Sequence, residues 1–78
     1  MKYIIVEGIF PIVFTDALKH SDFKYAFQGK ITSAGMCHIY NNKVHCYGES
    51  VSLKLKPAPN DELKIRANLL SWPGEEQL

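Results

Sequence analysis

The sequence lacks a long apolar segment, a strong charge of either sign and any low-complexity stretch. No apolar run approaches the roughly 20 residues that a bilayer-spanning helix requires, so no membrane segment is expected. Nine Lys and Arg residues stand against eight Asp and Glu residues, which gives a formal net charge of +1. Nucleic-acid-binding domains are usually far more basic, and a mimic of DNA would be far more acidic. The charge therefore favours neither class.

Catalytic signatures are also missing. No GxSxG sequence surrounds any serine, and the cysteines and histidines do not form short-gap ligand couples. The apolar share of 46% is ordinary for a globular protein, so we expect one α+β domain over residues 1–72 and a flexible tail over residues 73–78. So small a domain offers little room for an enclosed pocket of ~300 Å³ or more. We expect no catalytic residue, no metal and no cofactor.

The chemically interesting side chains are concentrated in residues 30–55, which hold both cysteines and two of the three histidines. Asn41-Asn42 tolerates the positive φ angles of a two-residue hairpin turn, so this segment predicts one long β-hairpin. Side chains alternate between the two faces of a strand, and we therefore expect thiols on one face and imidazoles on the other. Counting outward from the turn gives two cross-strand pairs: Cys37–Cys46 and His38–His45.

The cysteine pair has two interpretations. A non-hydrogen-bonded cross-strand pair brings the Cα atoms to about 4.5 Å, which is near the lower limit for a disulfide. Alternatively, Cys37 and Cys46 are buried thiols. Met1-Lys2 leads straight into a strand, with no cleavage site after an apolar run. We therefore expect a cytoplasmic protein with reduced thiols.

The histidine face of the hairpin is the candidate partner-binding surface. Tyr is enriched at protein interfaces, whereas Lys is depleted there. The alternative is an ordinary exposed sheet face, on which cross-strand pairs add modest stability. The predicted contact residues are His38, Tyr40, His45 and Tyr47.

The first strands are predicted at residues 2–7 and 9–14, with a turn at Glu7-Gly8. Pro11 lacks an N–H group, so the second strand should lie at a sheet edge. A two-residue turn would place five side chains on one face: Tyr3, Ile5, Phe10, Ile12 and Phe14. A short helix should follow, with Ser21 as its N-cap, Gly29 just past its end and His20 at the surface.

The expected fold is a small antiparallel sheet formed by the N-terminal hairpin and the long central hairpin. A short helix lies between the two hairpins, and a C-terminal helix packs on the sheet. The apolar residues change parity after Cys46, which predicts a bulge near Gly48-Glu49 in a strand that continues to Leu55. Leu53 should then face Ile31, and Gly35 should permit a close approach by another backbone. Asn60 should cap a helix that ends near residue 71. Its expected packing stripe is Leu63, Ala67 and Leu70, with Ile65 and Leu69 beside it, and Trp72 should fold back onto the core edge.

Three segments carry a resemblance: HSD at 20–22, SAGMC at 33–37 and YGESVSL at 47–53. With the Pro-rich link and acidic-capped helix that follow, the chain resembles short proteins encoded by bacteriophages and prophages, over about residues 2–70. Small phage proteins often inhibit host defence, and the anti-CRISPR proteins are the best-known class. The resemblance implies a host protein complex as partner, such as a CRISPR surveillance complex or its nuclease. Blocking a complex needs no catalytic group, so we expect non-catalytic inhibition. The near-neutral charge favours occlusion or conformational locking over mimicry of DNA, and both a monomer and a homodimer remain open.

Two alternatives belong to other classes. A nucleic-acid-binding phage accessory protein would use a basic rim, and its binding would weaken steeply with added salt. The rim residues would be Lys54, Lys56, Lys64 and Arg66. A small metal or redox protein would use Cys37, Cys46, His38 and His45, although zinc needs ligands that converge on one point.

Overall fold

The computed structural model describes residues 1–69, which form a four-stranded antiparallel sheet in the order β2-β1-β3-β4 with two helices packed on it. This confirms the expected α+β fold. The strands are β1 (Lys2–Val6), β2 (Phe10–Phe14), β3 (Ile31–Tyr40) and β4 (Lys43–Tyr47). A 3₁₀ turn (His20–Phe23) leads into α1 (Lys24–Phe27), and α2 spans Asp61–Leu69. Within residues 1–69, neither helix is long and apolar enough to cross a bilayer.

The N-terminal hairpin has a three-residue loop, Glu7 to Ile9, because Val6 pairs with Phe10 and Ile4 pairs with Ile12. Glu7 and Gly8 both have positive φ angles, 55° and 72°. The prediction that Tyr3 and Ile5 share a face with Phe10, Ile12 and Phe14 is wrong, because the extra loop residue places Tyr3 opposite Val13 and Ile5 opposite Pro11. The predicted edge position of Pro11 is confirmed, since β2 is the first strand of the sheet.

The central hairpin turns at Asn41-Asn42, as predicted, with φ angles of 49° and 62°. Tyr40 pairs with Lys43, and the cross-strand pairs Cys37–Cys46 and His38–His45 follow in the expected register. The turn type and the alternation of side chains together fix this register, since neither depends on distant parts of the chain.

The strand does not continue to Leu55, which corrects the predicted bulge. β4 ends at Tyr47, and residues 50–55 form a separate tight loop closed by a bridge between Ser50 and Leu55. Leu53 does not pair with Ile31, whose partner in the sheet is Val6. The change of parity is real, but it has another cause: the sheet is buried on both faces, and the chain crosses to the second face after Gly48.

The N-cap of the 3₁₀ turn that leads into the short helix is Lys19, not the predicted Ser21, and Asp22 forms a capping box with it. The Asp22 Oδ2 atom accepts the Lys19 N–H at 2.8 Å. Gly29 has a φ of 79° just past the helix end, as expected. His20 is not at the surface: it is 6% exposed, and its Nε2–H donates to the Gly35 carbonyl at 2.8 Å.

The second helix packs by a different face from the one predicted. Ile65 is fully buried, whereas Leu63 is 64% exposed and Ala67 is also exposed. The reason is Asp61, whose fully buried carboxylate anchors the first turn and thereby fixes the rotation of the helix. Residues 70–78, which include Leu70, Trp72 and the expected tail, lie outside the described part of the chain.

Two apolar clusters cover the two faces of the sheet. On the α2 face, Ile65 packs with Tyr3, Ile5 and Cys37. On the opposite face, the short helix and the 50–55 loop pack over a second cluster. The buried members of that cluster are Ile4, Val6, Phe14 and Ala34. Gly35 lies against the end of β4 and against Pro57. A Cβ added to Gly35 would be 3.0 Å from the Tyr47 carbonyl oxygen and 2.9 Å from Pro57 Cγ. The predicted close approach at Gly35 is thus confirmed.

Candidate partner-binding face

The hairpin face consists of His38, Tyr40, His45 and Tyr47, all of which are exposed. His38 lies opposite His45, and the two tyrosines lie on the same side of the sheet in the neighbouring pairs. Tyr40 is 67% exposed and Tyr47 is 46% exposed. The structure therefore brings the four predicted residues together on one surface.

The rings of the hairpin face stack along each strand. His38 and Tyr40 have ring centroids 6.2 Å apart with planes inclined by 20°. His45 and Tyr47 are 5.8 Å apart and inclined by 18°. Because each ring is supported by a neighbour of the same strand, less side-chain freedom is lost when a partner binds.

The hairpin face is open because the elements that cover this side of the sheet reach only its other end. Phe23, Phe27 and Leu55 pack around the cluster that contains Ala34, whereas β1 pairs with β3 only as far as Met36. The last residues of β3 and the whole of β4 therefore extend past the covered region. Lys43, paired with Tyr40, adds a positive charge to the same side.

Sequence reasoning did not predict the role of Glu62, whose carboxylate contacts β4 at the edge of the hairpin face. Its Oε2 atom accepts the Cys46 N–H at 2.7 Å and lies 3.6 Å from His45 Nδ1. The link joins residues separated by 16 positions, and no local pattern in the sequence indicates it. Only the packing of α2 against β4 brings the carboxylate there.

The cysteines lie away from the hairpin face and are free thiols. Cys37 is buried beneath α2, and Cys46 is partly buried beside it. Burial raises the pKa of the Cys37 thiol, and it raises the pKa of the Cys46 thiol to about 11. Thiols that keep their protons at neutral pH are poor nucleophiles and poor metal ligands.

The four residues of the metal or redox alternative are not brought together. The thiols point toward α2, and the imidazoles point to the other side of the sheet. Among residues 1–69, no three His, Cys, Asp or Glu side chains are grouped closely enough to hold a metal ion. The structure thus gives this alternative no common coordination point.

The basic rim of the nucleic-acid alternative is also divided. Lys54 and Lys56 line a shallow depression beside the 50–55 loop. Arg66 lines a different depression, together with Lys43 and residues of α2. These three cations are therefore not brought together in one depression.

A second connection that sequence reasoning missed is structural. The Tyr3 hydroxyl donates to the Asp61 Oδ2 atom at 2.7 Å in the buried interior, and the Ala58 N–H donates to the same oxygen at 2.8 Å. Burial, followed by the hydrogen bond to Asp61, raises the pKa of Tyr3 far above its usual value. The contact ties the first strand to the start of α2.

Comparison with known protein families, with curated proteins and with solved structures finds no match.

Proposed function

We propose that this chain is a non-catalytic binding protein of phage origin that inhibits a host defence complex, as anti-CRISPR proteins do. The binding mode is supported by one observation above all: four exposed ring side chains, stacked in two pairs, occupy an end of the sheet that the other elements of residues 1–69 leave uncovered. Aromatic side chains that lose little freedom on binding are typical of the residues that dominate interface energies. The class of partner is supported by the resemblance of the sequence to short phage proteins.

Inhibition by contact suits the geometry of the hairpin face. A compact domain of this size offers about 800 Å² to a partner in a standard interface. The hairpin face is an exposed sheet surface rather than an enclosed cavity, so the partner should be a protein surface rather than a small molecule. Covering such a surface blocks access, or locks one conformation, without any chemical step.

The test is a pull-down from a host lysate, with quantitative mass spectrometry of the retained proteins. The bait is either the unaltered chain or a variant with four substitutions: His38→Ala, Tyr40→Ala, His45→Ala and Tyr47→Ala. Loss of several interface rings should reduce retention by about tenfold or more, because single hot-spot truncations cost about 2 kcal/mol or more. Equal retention by both baits would reject the hairpin face.

The matched control substitutes residues that are as exposed but lie elsewhere, Tyr25→Ala and Val51→Ala. This variant should retain the partner within about twofold, since substitutions outside an interface have little effect on binding. Circular dichroism of each variant establishes that the sheet is intact. A plaque assay on cells with an active CRISPR system tests inhibition itself: expression of the chain should restore phage growth. Unchanged restriction would contradict the anti-CRISPR proposal while leaving the binding result to stand separately.

A further inference from the structure

The outer edge of β4 has a backbone that no other strand of residues 1–69 pairs with. Along an antiparallel edge strand, alternate residues direct their N–H and C=O groups away from the neighbouring strand. Cys46 is one of these, because its N–H donates to Glu62 instead of to β3. Val44, two residues earlier in the same strand, must therefore point its backbone groups outward as well.

A depression of about 330 Å³ lies between this edge and α2. It is lined by Lys43, Val44, Glu62, Leu63 and Arg66. Leu63 is 64% exposed and offers an apolar contact, while Lys43 and Arg66 contribute two positive charges. The single carboxylate of the lining, that of Glu62, is directed at the Cys46 amide and the His45 ring. The two cations outnumber it, so the net charge of the groove is positive.

The other edge of the sheet is protected in a different way. Pro11 lies opposite Ile5 in β2 and has no N–H group to offer a new strand. Cations on an edge strand disfavour pairing with a second copy of the same edge. A second copy at β4 would bring two grooves of the same positive net charge together. The charges of the groove thus favour an acidic occupant over self-association.

We infer that the groove between β4 and α2 binds an extended acidic segment of a partner protein by strand addition. The segment exchanges backbone hydrogen bonds with Val44, and alternate side chains of an added strand face opposite ways. An apolar side chain then contacts Leu63, and carboxylates lie near Lys43 and Arg66. The inference concerns a surface separate from the hairpin face and does not depend on the partner proposed for it.

The probe is the peptide acetyl-EVDVE-amide, titrated into the ¹⁵N-labelled full chain and followed by amide chemical shifts. The Val44 and Cys46 amides should shift and saturate, with a dissociation constant between about 10 µM and 1 mM, as expected for one short strand. No saturable shift at about 2 mM peptide would overturn the inference. Shifts confined to His38, Tyr40 and their neighbours would overturn it as well.

Two control peptides separate the contributions to binding. A peptide N-methylated at its two valines lacks the N–H groups that face Val44 and should bind about tenfold more weakly, because a strand adds through its backbone. Acetyl-KVKVK-amide should not bind measurably, because its charges oppose the groove. Equal binding of either control peptide would contradict the assigned mode.

Charge reversal supplies the matched variants. Lys43→Glu combined with Arg66→Glu should weaken the probe by about tenfold, because two attractions become repulsions. Lys19→Glu combined with Lys24→Glu changes the net charge equally at exposed sites elsewhere, and should leave the dissociation constant within about twofold. Equal weakening in both variants would mean general charge attraction and would overturn the inference. Shifts at Val44 that depend on protein concentration without peptide would assign the edge to self-pairing and overturn it too.

Discussion

The contact between Tyr3 and Asp61 shows how one pair of side chains organises this small interior. Asp61 is fully buried, and one of its oxygens, Oδ2, receives both the Tyr3 hydroxyl and the Ala58 N–H. The other oxygen, Oδ1, has no hydrogen-bond partner among the described residues. A buried carboxylate with few donors depends strongly on each one it has.

Replacing Tyr3 with Phe should lower the free energy of unfolding by about 1.5–3 kcal/mol, because the hydrogen bond removed is made to a buried acidic group. Urea denaturation measures the change. Tyr25→Phe is the matched control: the side chain is 80% exposed, so loss of its hydroxyl should change stability by less than about 0.5 kcal/mol. Equal effects of the two substitutions would mean that the Tyr3–Asp61 contact does not stabilise the fold.

The thiol of Cys46 predicts a loss of stability at alkaline pH. Burial raises its pKa from 9.0 to about 11 in the folded chain, so the unfolded chain releases this proton first as the pH rises. The stabilisation is fully present below about pH 9 and is lost as the pH rises through about 11. Cys37 and Tyr3, whose pKa values are also raised, contribute in the same direction.

Denaturation between pH 8 and 11 should therefore show a declining free energy of unfolding. The decline should be smaller in Cys46→Ala than in the unaltered chain, since one of the contributing groups is gone. The comparison uses the slope, because the substitution also changes the stability at every pH by removing buried atoms. Identical slopes would contradict the burial of this thiol.

Among the secondary-structure elements, the turn of the central hairpin is the one most directly determined by its own residues. Asn41 and Asn42 both adopt positive φ angles, which Asn tolerates and Gly adopts without a steric penalty. Asn42→Gly should raise the free energy of unfolding by up to about 1 kcal/mol. Asn41→Val should lower it by about 1–2 kcal/mol, because a β-branched residue is strained there.

Thermal or urea denaturation of the two variants measures both effects. The two changes in the free energy of unfolding should have opposite signs, because Asn42→Gly relieves backbone strain in the turn and Asn41→Val adds to it. Destabilisation by Asn42→Gly as large as that by Asn41→Val would indicate that the chain reverses elsewhere.

The central hairpin could be predicted from sequence because its turn chemistry and its alternation are local. The N-terminal hairpin could not be, because Glu7 occupies a positive φ that its residue type does not favour. The loop has one residue more than predicted, so the predicted faces of β2 relative to β1 were inverted. The choice between one residue and two in such a loop depends on how both strands pack against the rest of the sheet.

The packing face of α2 was also beyond sequence reasoning. Its apolar pattern favoured Leu63, yet the buried positions are Asp61 and Ile65. A carboxylate in the core contradicts the expectation for its residue type, and only its partner Tyr3, 58 residues away, explains it. Burial of His20 has the same kind of cause, since its acceptor is a carbonyl in β3.

At the scale of the whole described fold, residues 1–69, the four-stranded sheet is covered on both faces, except that its hairpin end is open on the side opposite α2. The sequence predicted which residues would lie on the hairpin face, because the register follows from the turn. It could not predict why that face stays open, which depends on where the short helix and the 50–55 loop end. The hairpin face and the groove beside β4 are therefore two neighbouring surfaces, one aromatic and one cationic.

The central claim is that the hairpin directs its thiols inward and its imidazoles outward, leaving the latter for a partner. Covalent labelling of the folded chain with diethylpyrocarbonate and a thiol reagent, read by peptide mass spectrometry, tests this claim most directly. We predict rapid modification of His38 and His45, with His20, Cys37 and Cys46 at least about tenfold slower than in denaturant, because reaction requires solvent access. Protected His38 and His45, or cysteines that react as fast as in the unfolded chain, would contradict the account.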